Sequence, residues 1–208
     1  MRTFCEILLV STGGFIIMVL EIAGVRFLTK DFGGSFYVWI SQIGMVMAAL
    51  AFGYFCGGWL ADQFPRPGRL APLLAGTALF IAALPVLAPP LIGLIIQRHP
   101  LDRDIPMLWQ KVDPALGSAV LFLLPCFVLA MLSPFTIRLA ARALDRVGSA
   151  SGRIYAASTV GSIAGVFVTG YALLDWLSLP AVFLLAGGLT LGLAGLCWYM
   201  NRFYAPRS

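Results

Sequence analysis

The feature that most constrains this chain is the recurrence of long apolar runs, near 4–28, 36–61, 70–96, 114–141, 153–176 and 179–201, each bounded by charges or turn residues. A hydrocarbon core about 30 Å thick is crossed by roughly 20 helical residues, so every run is long enough to span it. Inside lipid the backbone must satisfy its own hydrogen bonds, which selects helices for runs of this length. The 208 residues leave room for about six spans and short connections, and for no second domain. Composition points the same way, with 60% hydrophobic and 11% charged residues and a mean hydropathy of +0.93; soluble domains are near half apolar and a quarter charged. The expected fold is all-α, a polytopic membrane protein with one transmembrane domain over 1–208.

The net charge of +5 is mostly arginine. In a chain of spans such an excess reports orientation before any nucleic-acid contact, because Lys and Arg are retained on the cytoplasmic side. One side carries Arg2, Arg66, Arg69, Arg138, Arg142, Arg146, Arg153, Arg202 and Arg207; the other carries Arg26, Lys30, Arg98, Arg103 and Lys111. Both termini are therefore expected in the cytoplasm, in a bacterial-type plasma (inner) membrane, with the lipid bilayer as solvent and no nucleic-acid partner. The long connection 97–113 then faces outward, and Trp109 suggests a short interfacial helix there. The first apolar run contains Glu21 and has no small-x-small cleavage site, so it reads as a retained helix and not a signal peptide.

Small residues at four-residue spacing recur at Gly53 and Gly57, Gly161 and Gly165, and Gly188 and Gly192. Lipid supplies no bulk hydrophobic drive between helices, so such glycines predict close backbone packing. Pro85, Pro89 and Pro90 in the third span and Pro125 and Pro134 in the fourth free carbonyls, predicting irregular helices. The four cysteines lie in or beside apolar runs with no metal-binding spacing, and read as small buried hydrophobes; no metal or other cofactor is expected.

Glu21 stands out because an ionisable group about five to seven residues, roughly 10 Å, inside a span is costly unless paired or wet. It could bind a cation or a proton, with Arg26 and Asp175 as neighbours. Alternatively, it could be fixed by Arg26 or by Ser35, Tyr37 or Ser41. Asp31 and Asp175 share its outer level; with it they could form an acidic mouth attracting polycations, or they could be ordinary helix-end residues in water. On the inner side Arg138, Arg142, Arg146 and Arg153 form a basic cluster that suits anionic lipid or an acidic partner. His99 stands alone in its loop. The sequence contains no HExxH, GxSxG, P-loop or paired intramembrane aspartates, so catalysis has no support in it.

Taken together, the run Glu21 to Arg26, the stretch Asp31 to Ser35, Trp39, and Gly53 to Asp62 resemble the amino-terminal membrane region of fused major facilitator/spermidine synthase-like proteins. A second block, Ser133 to Ala141 and Gly152 to Gly165, resembles the later helices of the same region. The resemblance implies a half-major-facilitator-like bundle. In that family a cytoplasmic aminopropyltransferase-like domain usually follows; the sequence in hand ends at Ser208, so the implication is membrane architecture without synthase activity, and no enzyme. Gly58 and Asp62 followed by Arg66 and Arg69 are also similar to the loop between helices two and three of major facilitator transporters, where such residues form a cytoplasmic charge relay.

Two functions fit these readings. The first is a non-catalytic membrane module that anchors or organises a separate protein partner or membrane complex. The second is a half-transporter for small cations such as polyamines, acting as a homodimer.

Overall fold

The computed structural model describes residues 1–99, 105–141 and 147–204. Six of its helices are long and apolar enough to cross a membrane. They are α1 (Arg2–Phe32), α2 (Phe36–Gln63), α3 (Leu70–Ile96), α4 (Met107–Ala140), α5 (Val147–Trp176) and α6 (Leu179–Met200). The described residues contain no strand. Both described ends of the chain lie at one end of the bundle, as six crossings require: Tyr204, just beyond α6, bonds to Arg2 in the first turn of α1.

The elements differ from the expected runs mainly where polar residues flank a span. α1 extends to Phe32 and closes at Gly33, whose φ of 78° is the left-handed conformation that glycine adopts without strain. α4 begins at Met107, following Pro106. Trp109 therefore belongs to the first turn of a spanning helix and not to a separate interfacial one, because nothing between Met107 and Asp113 breaks the winding. Proline acts differently in the two helices that carry it. α3 continues through Pro85, Pro89 and Pro90. α4 winds as a π-helix over Ala119–Leu123 just before Pro125, and breaks at Met131 before Pro134, where missing amide hydrogens release carbonyls one turn back. α5 carries its own π-helical turn at Thr169–Leu173.

α1 and α4 are the most buried spans, and three pairs dominate the packing: α1 on α5, α2 on α4, and α3 on α6. Glycines set the first pair. A Cβ on Gly161 would collide with the Ser11 carbonyl, one on Gly165 would come within 2.6 Å of the Phe15 carbonyl, and one on Gly14 would strike the Ser158 backbone. In the second pair Gly53 lies against the Phe127 carbonyl and Gly57 against the Met131 backbone. Residue numbers rise together along both pairs, so each runs parallel.

The third pair corrects an expectation. Gly188 and Gly192 meet nothing and face outward. The close approach to α3 is made by Gly187, whose Cβ would come within 2.9 Å of the Ala78 carbonyl. One residue turns a helix by about 100°, so the four-residue spacing identified small residues on α6 but not its contact face.

Gly161→Ala should therefore destabilise the bundle by about 1–3 kcal/mol, the usual cost of overpacking. Gly188→Ala should leave it unchanged. Thermal unfolding of both variants in one detergent checks the pair.

Candidate functional site

Glu21 stands eleven residues before the end of α1, deeper than its expected place, because the helix continues past Leu28 to Phe32. Its Oε2 is buried without a hydrogen-bond partner. Arg26 does not reach it; that guanidinium lies at the surface and donates to the Leu174 carbonyl at 3.5 Å. None of Ser35, Tyr37 and Ser41 shares a hydrogen bond with it among the described residues. The buried Cys126 of α4 lies within its electrostatic reach. At a similar depth Gln42 donates to the Leu20 carbonyl at 3.4 Å and accepts from the Ser118 hydroxyl at 2.7 Å. Gln42 and Ser118 are fully buried, so α1, α2 and α4 share a polar layer. The Thr169 hydroxyl, opening the π-turn of α5, is likewise buried and unpartnered. Asp175 stays exposed near the end of α5. Asp31, in the last turn of α1, is exposed as well, whereas Glu21 is only partly exposed.

At the end holding the chain termini, an unanticipated cluster ties three helices together. Glu6 is 2% exposed and accepts from Arg2 Nε at 3.0 Å and from the Tyr204 hydroxyl at 2.6 Å. Arg2 also donates to the Tyr204 oxygen and to the Leu139 carbonyl at the end of α4, and its guanidinium lies 4.1 Å from the centre of the Tyr204 ring. A buried carboxylate is tolerated when it is both ion-paired and hydrogen-bonded, and Glu6 is both. Burial, and then the bond to Glu6, push the Tyr204 phenol above its ordinary range. The sequence contains a signal for the local half of this clasp, Arg2 and Glu6 at i, i+4; Tyr204 is brought in only by the fold.

Nearby, Asp62 accepts from Arg138 Nε at 2.7 Å, joining the ends of α2 and α4. The sequence grouping of Gly58, Asp62, Arg66 and Arg69 therefore divides: Arg69 stacks on Phe64, 5.0 Å from the ring centre, and Arg66 lies beside it in a shallow surface hollow. Both partners of the Asp62 pair are exposed, so it contributes at most about 1 kcal/mol. Of the expected basic cluster, Arg138 has this partner and Arg153 is exposed. Arg142 and Arg146 lie outside the described residues.

At the opposite end His99 is not alone. Its Nε2 is 2.7 Å from Asp113 Oδ2, Arg98 pairs with Oδ1 of the same carboxylate, and Trp109 lies beside the side chains of both His99 and Arg98. Asp113, 4% exposed, thereby staples the end of α3 to the start of α4. No group of three or more metal-ligating side chains occurs among the described residues.

The clasp has a pH signature. The folded-state value of Tyr204 lies above the ordinary 10.0, so its stabilisation is complete below about pH 10 and is lost as pH rises from there. The wild type should lose its melting-temperature advantage over Tyr204→Phe across that alkaline range, and should keep it at neutral pH.

Compared with family models, with curated proteins and with solved structures, the chain matches none.

Proposed function

We propose that this chain is a non-catalytic membrane module of the kind found in the membrane half of fused spermidine synthase-like proteins, working by association with a separate protein partner. The observation that carries the reading is the pairing of its helices. Exchanging α1, α2 and α3 for α4, α5 and α6 turns the pair α1 with α5 into α4 with α2, and returns α3 with α6 to itself. That exchange relation is the one expected of two inverted three-helix repeats, the plan of half a major facilitator. Half of such a bundle leaves a face for another half or another protein.

The outward sides of α2 and α5 support that use. Tyr54 and Tyr155 lie close enough to interact, and with Thr159 they are exposed on helices that otherwise present Phe52, Phe55, Ile163 and Phe167. Thr159 stands roughly 9 Å along α5 from the exposed Arg153, at 1.5 Å per residue. Polar groups at such depth favour a protein neighbour over hydrocarbon.

Purification in mild detergent, followed by the native mass of the particle and identification of its components, tests the reading. A defined complex with a second polypeptide is the expected result; a lone monomer would contradict it.

One observation favours a second reading, the homodimeric half-transporter for a small cation: the unpartnered buried oxygen of Glu21. An acid left unpaired inside a span is the usual mark of an ion or proton pathway. On this reading Glu21→Gln abolishes substrate-dependent uptake into liposomes without changing the melting temperature by more than a few degrees, and undiminished uptake removes Glu21 from the mechanism.

A further inference from the structure

The connection between α2 and α3 folds around a hollow of about 340 Å³, lined by Gln63, Phe64, Pro65, Arg66 and Arg69. Two cationic side chains therefore share one wall, and no acid lines it. Among the described residues neither arginine pairs with a carboxylate. Asp62, the nearest acid in sequence, is taken by Arg138 of α4. Two like charges in one hollow repel. The turn Pro67–Arg69 and the first turn of α3 hold no acid to offset them, and the positive end of the helix dipole adds to the same field. The stability of α3 does not explain two arginines at this place.

The connection is held in place by its own bonds and by α6. The Phe64 amide donates to the Leu60 carbonyl at 2.8 Å, and the Arg69 amide to the Arg66 carbonyl at 3.0 Å. Pro67 is buried, and Gly68 packs against Asn201 just beyond α6, where a Cβ would come within 2.9 Å of Asn201 Cγ. The Arg69 guanidinium lies 5.0 Å from the centre of the Phe64 ring. Stacking of this kind orients a guanidinium and leaves its N–H edge free to donate. The hollow is thus a preformed cationic one.

We propose that this hollow holds the headgroup phosphate of an anionic phospholipid, with Arg66 and Arg69 donating to its oxygens. Guanidinium forks match phosphate geometry, and the charge-assisted bonds remove the repulsion between the two side chains. The surface beside the hollow favours a lipid over dissolved phosphate. Trp59 stands one turn before Gln63 on α2, Leu73 one turn after Arg69 on α3, and both are exposed. They continue the hollow onto the apolar flanks of two spans, where acyl chains lie, and tryptophan is the side chain usual at that boundary. The site involves neither Glu21 nor a second polypeptide, so it stands or falls apart from both functions proposed above.

The test uses the full chain in an uncharged mild detergent, with native mass spectrometry during titration of phosphatidylglycerol or of phosphatidylcholine with the same acyl chains. Both lipids carry a phosphodiester, and the choline ammonium cancels the charge of the second. One phosphatidylglycerol should bind at least about tenfold tighter than phosphatidylcholine, the factor expected for one charged hydrogen bond. The double substitution Arg66→Gln and Arg69→Gln should lose that preference. Arg153→Gln, at an exposed arginine outside the hollow, should keep it. All three substitutions are at exposed positions, and melting curves confirm that the bundle is intact. Inorganic phosphate in excess should leave the bound lipid in place. Equal binding of the two lipids, a double variant that binds like the wild type, an Arg153→Gln variant that loses as much as the double one, or displacement of the lipid by inorganic phosphate would overturn the proposal.

Discussion

The close approach of α1 and α5 is the contact on which the rest of the bundle depends. Lipid is as apolar as a leucine side chain, so helices in it are held by packing and by hydrogen bonds between them. Gly14, Gly161 and Gly165 remove the side chains that would keep the two backbones apart, and the Ser11 and Phe15 carbonyls fill the space. With α5 seated on one side, α1 turns its remaining surface to α2, α4 and α6, and it becomes, with α4, the most buried helix of the six.

Burial of α1 determines where polarity can be placed. At its first turn Glu6 is surrounded by Arg2 and Tyr204, so a charge that would be untenable alone holds the described chain ends together. Further along, the Leu20 carbonyl accepts from Gln42 at a point where Gly24 leaves room for the amide: a Cβ there would come within 2.5 Å of Gln42 Nε2. Glu21 differs from both, with one oxygen left unpartnered. The helix thus carries two glutamates of opposite character. One is spent on architecture, and the other is the reason for a reading beyond it.

Much of this arrangement is legible in the residues. Six apolar runs mark six helices, because the thickness of a bilayer converts directly into a number of residues. The glycines of α2 and α5 mark real contact faces; those chosen on α6 do not, since Gly187, Gly188 and Gly192 are equally small and only the neighbouring helix decides which faces it. Charge partners were the least legible. Asp62 precedes Arg66 and Arg69 by one turn or two in sequence, yet Phe64, Pro65 and Pro67 end the helix between them, and Arg138 from α4 takes the carboxylate. His99 looks solitary until a helix beginning at Met107 carries Asp113 back beside it. Pairings across such distances depend on which helices are neighbours, and hydropathy does not report neighbours.

The most direct test of this architecture is a solid-state NMR correlation in lipid bilayers between the Ser11 carbonyl carbon and the Gly161 α-carbon. A cross-peak of the strength seen between adjacent turns of one helix is expected. Its absence, while correlations within α1 and within α5 remain strong, would contradict the packing of these two helices and with it the plan of the whole bundle.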